Sequence, residues 1–540
     1  MSRLARLFAA GCLALAPLGA HAAQSADTDW PSYNRTLTSE RTSPLAEITP
    51  ANAKRLQVLC SYDLGEQTGF QSGLIEVGGA LYGTTMADVF SLDPDSCKLN
   101  WRVHEDYKPA SLPINRGLAY ADGRLFRGLQ DARVAAYDAR TGKRLWVTAI
   151  GDPAKGESAP AAPIAWKGLV FIGNAGGDSK GVKGRIYALD QVTGRIVWEF
   201  YLVPKSAADV PRGPQAPGAP DVSGSWKNPD GFPVTGGATW TSYTLDPATG
   251  LLYVPGGNPA PDFVGDFRQG DDLYSGSVVV LDALSGAYRN HFQLVQHDFH
   301  DYDVSNAPTV VTTAAGRRLL AVAPKDGHLY GYDLATGKRL YRTDVTTILN
   351  PDTPLTPEGV RFCPGAQGGA EWNGAAYDAR TNLLFTGEVD WCSTVKTVGA
   401  DKLQSVSLGQ AWSGMNPDSP ADLFGKFDPP SGWAGWMTAS DADSGQARWR
   451  FKAPAPLMGG VTPTAGGVVM FGDMAGNFYA FNAATGEELW SQKIGGAVGG
   501  GVITYQGSSG RQKVAVATGM TSPIWPTEKV NAKVVVLGLP

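Results

Sequence analysis

The chain has 540 residues, 43% of them hydrophobic, enough to bury a large core. Its formal net charge is −5 and it has no basic tract, which argues against nucleic acid as a partner. Charged residues make up 18% of the chain, and 67 glycines, 37 prolines and 15 tryptophans describe a turn-rich β protein.

Residues 1–22 read as a cleavable export signal. Arg3 and Arg6 form a basic start, residues 7–18 a short apolar core, and Ala20-His21-Ala22 supplies small residues for cleavage. No later apolar run reaches the ~18 residues of a membrane span. The expected location is the periplasm. The mature part, residues 23–540, is expected to be one propeller domain. Cleavage leaves Cys60, Cys97, Cys363 and Cys392. An even count in an oxidising compartment points to two disulfides. Three pairings are open, and chain order favours Cys60–Cys97 with Cys363–Cys392. A zinc site would need closer ligand pairs than these. No C-x-x-C-H is present, so this sequence carries no covalent haem site.

After an entry segment with a short helical signal over residues 50–56, one pattern recurs. An Asp is followed three and four residues later by Thr-Gly or Ser-Gly, and eight residues later by an aromatic. It runs from Asp138 to Trp146, Asp190 to Trp198, Asp333 to Tyr341 and Asp441 to Trp449. Weaker copies start at Asp93 (Cys97 in place of Gly), Asn482 and Asp282, and shorter relatives start at Asp246 and Asp378. Apolar alternation before the Asp is a strand. Asp with Thr-Gly is turn chemistry, and the aromatic closes a second strand. Each copy is therefore a β-hairpin, and one small sheet per roughly 40–50 residues means a repeat array, with a β-propeller favoured over an irregular sandwich.

Three excursions interrupt the rhythm: residues 203–234, 345–372 and 400–435. Loops of that length in a compact array are often functional. The C-terminal run at residues 533–537 is a strand placed to complete a sheet begun near the N-terminus, which removes an open edge.

Several polar stretches do not suit blades. His297-Asp298-Phe299-His300-Asp301-Tyr302-Asp303 packs three carboxylates and two imidazoles together. If extended, Asp301 and Asp303 share one side and repel unless a cation or proton lies between them. A solvated loop is the plainer alternative. Gly176-Gly177-Asp178 and Gly257-Asn258-Pro259 put oxygen-bearing side chains beside glycines, as a hard cation or a closely approaching ligand requires.

Together with Asn115-Arg116-Gly117, Trp240 in Gly-Gly-Ala-Thr-Trp, Cys363-Pro364, Trp391-Cys392 and Gly459-Gly460, these stretches resemble the quinoprotein alcohol dehydrogenases, which use pyrroloquinoline quinone (PQQ). The repeat is similar to that family's tryptophan-docking motif. The resemblance implies an all-β, eight-bladed propeller with tryptophan-docking repeats. It implies PQQ held by Gln71, Arg116, Gly176, Gly177, Trp240, Lys325, Glu371 and Trp372, with Trp240 as the floor under the planar ring. It implies a metal held by Asp178, Asn258, Asp301 and Asp303, with Asp301 as the base that takes the alcohol proton. Calcium is the expected ion and a lanthanide the alternative, since an Asp two residues after the base marks the lanthanide-dependent members.

The sequence departs from the family pattern at Gln71 and Asp178 (both Glu there), Glu371 (Asn) and Met458 (Trp). It also departs at Ala110-Ser111, where a vicinal cysteine pair is usual. Met458 suggests a wider, softer substrate cavity. The implied function is oxidation of a primary or secondary alcohol, with electrons passed to a separate soluble cytochrome c or other acceptor. The alternative is a non-catalytic propeller scaffold that has lost its cofactor.

Overall fold

The repeated hairpin joins the third and fourth strands of a sheet. In the computed structural model, which describes residues 27–107, 112 and 114–540, there are eight four-stranded antiparallel sheets. Residues 1–22 and Ala110-Ser111 lie outside the described residues. The first strands of successive sheets pack side by side around a ring: Ile75–Val77 on Ala119–Ala121, that strand on Ile164–Trp166, and Thr309–Thr312 between Thr244–Asp246 and Ala376–Asp378. The fold is a β-propeller.

The docking aromatics work as the spacing predicts. Trp146 donates its Nε1–H to Gln191 O in the next sheet (3.1 Å), Trp198 does the same to Ala283 O (3.1 Å) and Trp449 to Ala483 O (3.0 Å). The ring lies on the glycine of the neighbouring turn. Gly194 has φ +72°, and a Cβ there would sit 2.5 Å from the Trp146 ring. The turn needs both the left-handed backbone and the missing side chain. The Asp organises the turn: Asp190 Oδ1 accepts from the Thr193 N–H (2.7 Å) and the Thr193 hydroxyl (2.8 Å).

Seven such turns, at Asp93, Asp138, Asp190, Asp282, Asp333, Asp441 and Asn482, close seven sheets. The wide gaps after Asp190 and Asp333 hold insertions rather than missing hairpins. The shorter relatives at Asp246 and Asp378 are a different turn, joining the two innermost strands of their sheets.

The eighth sheet has the order Val502–Gln506, Gln512–Thr518, Lys533–Gly538, and its outer strand is Gln57–Asp63 from the other end of the chain. The expected closure is thus made by strand pairing. At this seam a disulfide stands where other sheets have a docking ring. Cys97 occupies the glycine position of its turn (φ +59°) and bonds Cys60 on the closing strand, with Cα atoms 5.9 Å apart. The second disulfide is Cys363–Cys392. Both pairings are those chain order favours.

The helical signal near residue 50 is one 3₁₀ turn, Ala53–Arg55. Residues 203–234 hold only the 3₁₀ turn Ser223–Ser225. The excursion at 400–435 carries the short helix Ala400–Ser405 and the strand Lys426–Phe427. Among the described residues no helix is long and apolar enough to cross a membrane.

Candidate active site

In a four-stranded up-and-down sheet, the turn after the second strand and the connector leading to the next sheet emerge at the same end. The site is built there from those two kinds of segment. Connectors supply Gln71 and Arg116, on the parallel pair Gly69–Gly73 and Ile114–Gly117, together with Trp240, Asp301, Asp303, Glu371 and Trp372. Turns after second strands supply Gly176, Gly177, Asp178, Asn258 and Lys325. All twelve of these predicted residues line one cavity. Ser158 and Pro160 join them, and Leu112, Ile114, Phe424, Pro523, Ile524 and Trp525 form an apolar part of the wall.

The floor is aromatic and cationic. The Arg116 guanidinium carbon lies 4.4 Å from the Trp240 ring centre and 5.1 Å from that of Trp372, and Lys325 Nζ is 5.6 Å from Trp240. Arg116 donates to Trp240 O (3.2 Å), while its buried Nε has no partner. Burial lowers the Arg116 pKa to about 10, so it stays charged at neutral pH. Gln71 Oε1 and Glu371 Oε1 are also buried without partners. Burial pushes Glu371 up to about 7, against the pull of Lys325. Gly176 has φ +102°, and a Cβ there would meet Gly156 O at 2.1 Å, so the chain passes here with bare backbone.

The other side is acidic. Lys325 Nζ lies 2.7 Å from Asp303 Oδ2 and 3.2 Å from Asp301 Oδ2. Burial works against the Lys325 ammonium, but Asp301, Asp303 and Glu371 outweigh it and raise its pKa. Asp303 Oδ1 accepts from the Asn258 N–H (2.9 Å). Asp301 has φ +65°, a left-handed conformation that costs a non-glycine residue about 1–3 kcal/mol and gathers at functional sites. The stretch is therefore not the extended segment considered above, although Asp301 and Asp303 do converge, on Lys325. Asp298 braces the turn by accepting from His300 N and Tyr302 N (3.0 Å each), and the Tyr302 hydroxyl donates to Pro364 O (2.6 Å).

Carboxylate oxygens of Asp178, Asp262 and Asp301 lie within 4.8 Å of one another. Burial and then the like charge of Asp303 push Asp178 up to about 6. Burial, together with Asp303, Asp178 and Asp262, raises Asp301 strongly against the opposing pull of Lys325. Buried carboxyls so placed take up protons or a cation. Asn258 spends its Nδ2 on Asp262 Oδ1 (3.1 Å) and Pro259 O (3.3 Å), which leaves Oδ1 as the atom it can present. The cluster therefore fits a hard cation bound through oxygen. The partnerless Arg116 Nε and the indole face of Trp240 fit a planar anion.

Sequence reading missed Asp262, whose only signal is an acid four residues after Asn258 behind Pro259 and Pro261. It also missed the apolar wall, which comes from segments far apart in the chain. Met458 does not line this cavity. It is fully buried in one cluster with Trp372, Trp391 and Met474, so it touches the cavity only through neighbours that line it. The 400–435 excursion clasps both acidic turns: Trp412 N donates to Asp178 O (2.7 Å) and Phe263 N to Ser413 O (2.9 Å).

A propeller with this cavity has the form of a quinoprotein, and comparison with known proteins agrees. Residues 30–352 match the family model for the glucose/ethanol/alcohol dehydrogenase β-propeller domain that carries the name PQQ. Residues 434–521 match that of the outer membrane protein assembly factor BamB. The chain is 30% identical to the dehydrogenase subunit of a quinone alcohol dehydrogenase from Gluconobacter oxydans, over 91% of this chain and 70% of that one. It is 29% identical to a lanthanide-dependent methanol dehydrogenase from Methylacidiphilum fumariolicum, over 91% and 84%. A solved europium-containing methanol dehydrogenase superposes with a TM-score of 0.82 at 27% identity, covering 95% of this chain and 98% of that one. The chain belongs to the PQQ-dependent alcohol dehydrogenase family, and it is an oxidoreductase of that class.

Proposed function

We propose that the cavity binds PQQ against Trp240 and oxidises a primary or secondary alcohol, with Asp301 as the base that removes the hydroxyl proton. When bound, PQQ supplies the hydride acceptor and a Ca²⁺ or lanthanide ion supplies the Lewis acid. The observation that carries the reading is the meeting in one cavity of a buried acid, a cationic pair over an indole and a cluster of oxygen ligands.

Arg116 and Lys325 hold the carboxylates and carbonyl oxygens of an anionic ring. Gln71, Gly176, Gly177, Glu371 and Trp372 complete its surroundings. Asp178, Asn258, Asp301 and Asp303 surround the cation position. The rim of Leu112, Ile114, Phe424, Ile524 and Trp525 receives the carbon chain of the alcohol and points its hydroxyl toward Asp301. A cation beside Asp301 favours its ionised form, which keeps a base available near neutral pH.

The reading extends to a periplasmic enzyme exported on residues 1–22, with residues 23–540 as the propeller domain. Electrons leave to a separate soluble cytochrome c or another acceptor. The test is Asp301→Asn. Expected is a loss of turnover of about 10²–10⁴-fold, the range for a general base, with PQQ absorbance retained. Wild-type turnover in that variant would remove Asp301 from the chemistry.

A further inference from the structure

Asp262 stands apart from the residues assigned so far. It follows Pro261 on the turn that also carries Asn258, and its side chain is completely buried. Its Oδ1 accepts from Asn258 Nδ2 (3.1 Å), and its Oδ2 has no hydrogen-bond partner. A buried carboxylate oxygen without a partner is costly. The nearby Arg268 guanidinium eases the charge of Asp262 but makes no hydrogen bond to it: Nη1 donates to Asp272 (2.7 Å) and Nη2 to Pro261 O (2.7 Å) and Asp298 O (2.8 Å). An Asp262 oxygen instead lies within 4.8 Å of oxygens of Asp178 and Asp301.

Asp303 is placed differently. One of its oxygens is held by Lys325 and the other by the Asn258 N–H. Both of its oxygens thus have partners within the protein, whereas Asp262 Oδ2 has none.

We infer that Asp262 is a further ligand of the cation site, and that Asp178, Asp262 and Asp301 together present the charge that selects a trivalent over a divalent ion. The inference rests on the cation site of the proposed function. The lever is electrostatic: each carboxylate facing the ion adds more to the binding of a triply charged ion than of a doubly charged one. Geometry supports it as well, because the excursion at 400–435 holds the turns of Asp178 and Asp262 through Trp412 N and Ser413 O. The two acids are kept close by backbone bonds rather than by each other.

The experiment is Tb³⁺ luminescence excited through the protein's indoles, on full-length protein with PQQ, with Ca²⁺ and La³⁺ as competitors. Asp262→Asn keeps an acceptor for Asn258 Nδ2 and removes the charge. Expected is a loss of Tb³⁺ affinity of at least about tenfold, the scale of a lost charged partner near the ion, with a smaller loss for Ca²⁺. The thermal midpoint of the metal-free protein should not fall. Asp178→Asn serves as reference and should weaken both ions.

Unchanged Tb³⁺ affinity in Asp262→Asn overturns the inference. So does a loss seen only in Asp262→Ala, which would mean that Asp262 merely orients Asn258. In either case a wild type that takes up PQQ and oxidises alcohol leaves the proposed function standing. A wild type that binds neither ion and turns over nothing overturns both.

Discussion

Lys325 is the residue whose removal the structure prices most directly. Its ammonium is buried and lies 2.7 Å from Asp303 and 3.2 Å from Asp301. Lys325→Met keeps much of the side-chain volume and deletes the charge. It leaves two buried carboxylates without their shared cation, next to Asp178 and Asp262. Breaking a buried pair in this way costs about 3–5 kcal/mol. Unfolding entropy of about 2.1 cal/mol/K per residue makes a chain of this size lose about one degree of Tm per kcal/mol. The metal-free variant should therefore melt about 3–5 °C lower. Added Ca²⁺ or La³⁺ should recover more stability in the variant than in the wild type, because it replaces the missing positive charge. Scanning calorimetry with and without ion measures both effects. A metal-free Tm within a degree of wild type, or equal stabilisation of the two proteins by the ion, would refute this account of the acidic side.

Other consequences can be checked more briefly. Gly194→Ala places a methyl against the Trp146 ring and forces a left-handed alanine, which together should cost about 2–4 kcal/mol by chemical denaturation. Trp146→Phe should relieve part of that penalty if the ring is its source. Replacing Cys60 and Cys97 by serine opens a loop of 37 residues at the only seam closed by chain ends. The expected loss is about 4 kcal/mol, and limited proteolysis should then cut first near residue 63. Glu76 offers a pH test. Burial and the charge of Asp29 push its carboxyl up to about 8 in the folded protein. The folded state thus holds a proton that the unfolded state releases near 4.5. Stability should fall as pH rises through that window, by up to about 1.4 kcal/mol per unit. Glu76→Gln should flatten that part of the profile, and an unchanged slope would contradict the assignment.

Much of this molecule was legible because its physics is local. The Asp–Thr-Gly–Trp spacing encodes a turn, a left-handed glycine and a ring, and these suffice to define each hairpin and its contact with the next sheet. Closure was legible too, since an unpaired C-terminal strand in a ring has one open edge to fill. The turns at Asp246 and Asp378 were misplaced within their sheets because the pattern there stops short of the docking ring. The twelve predicted site residues share one cavity, and the resemblance to a family rather than spacing brought them together. Asp262 escaped because nothing in its neighbourhood distinguishes a ligand from a turn acid. Its meaning comes from Asp178, 84 residues away in sequence, and from the excursion that holds both turns. Phe424, Ile524 and Trp525 escaped for the same reason, since an apolar residue acquires a role only from the hydroxyl site it faces.

The central claim is that this cavity carries out PQQ-dependent alcohol oxidation with a bound cation. The most direct measurement is dye-linked oxidation of a panel of alcohols by the mature protein. It would be supplied with PQQ and Ca²⁺, PQQ and La³⁺, PQQ alone, or neither, with the absorption spectrum recorded alongside. Turnover that requires both PQQ and an ion, together with quinone absorbance on the protein, is the predicted result. No quinone absorbance and no turnover with either ion would contradict it.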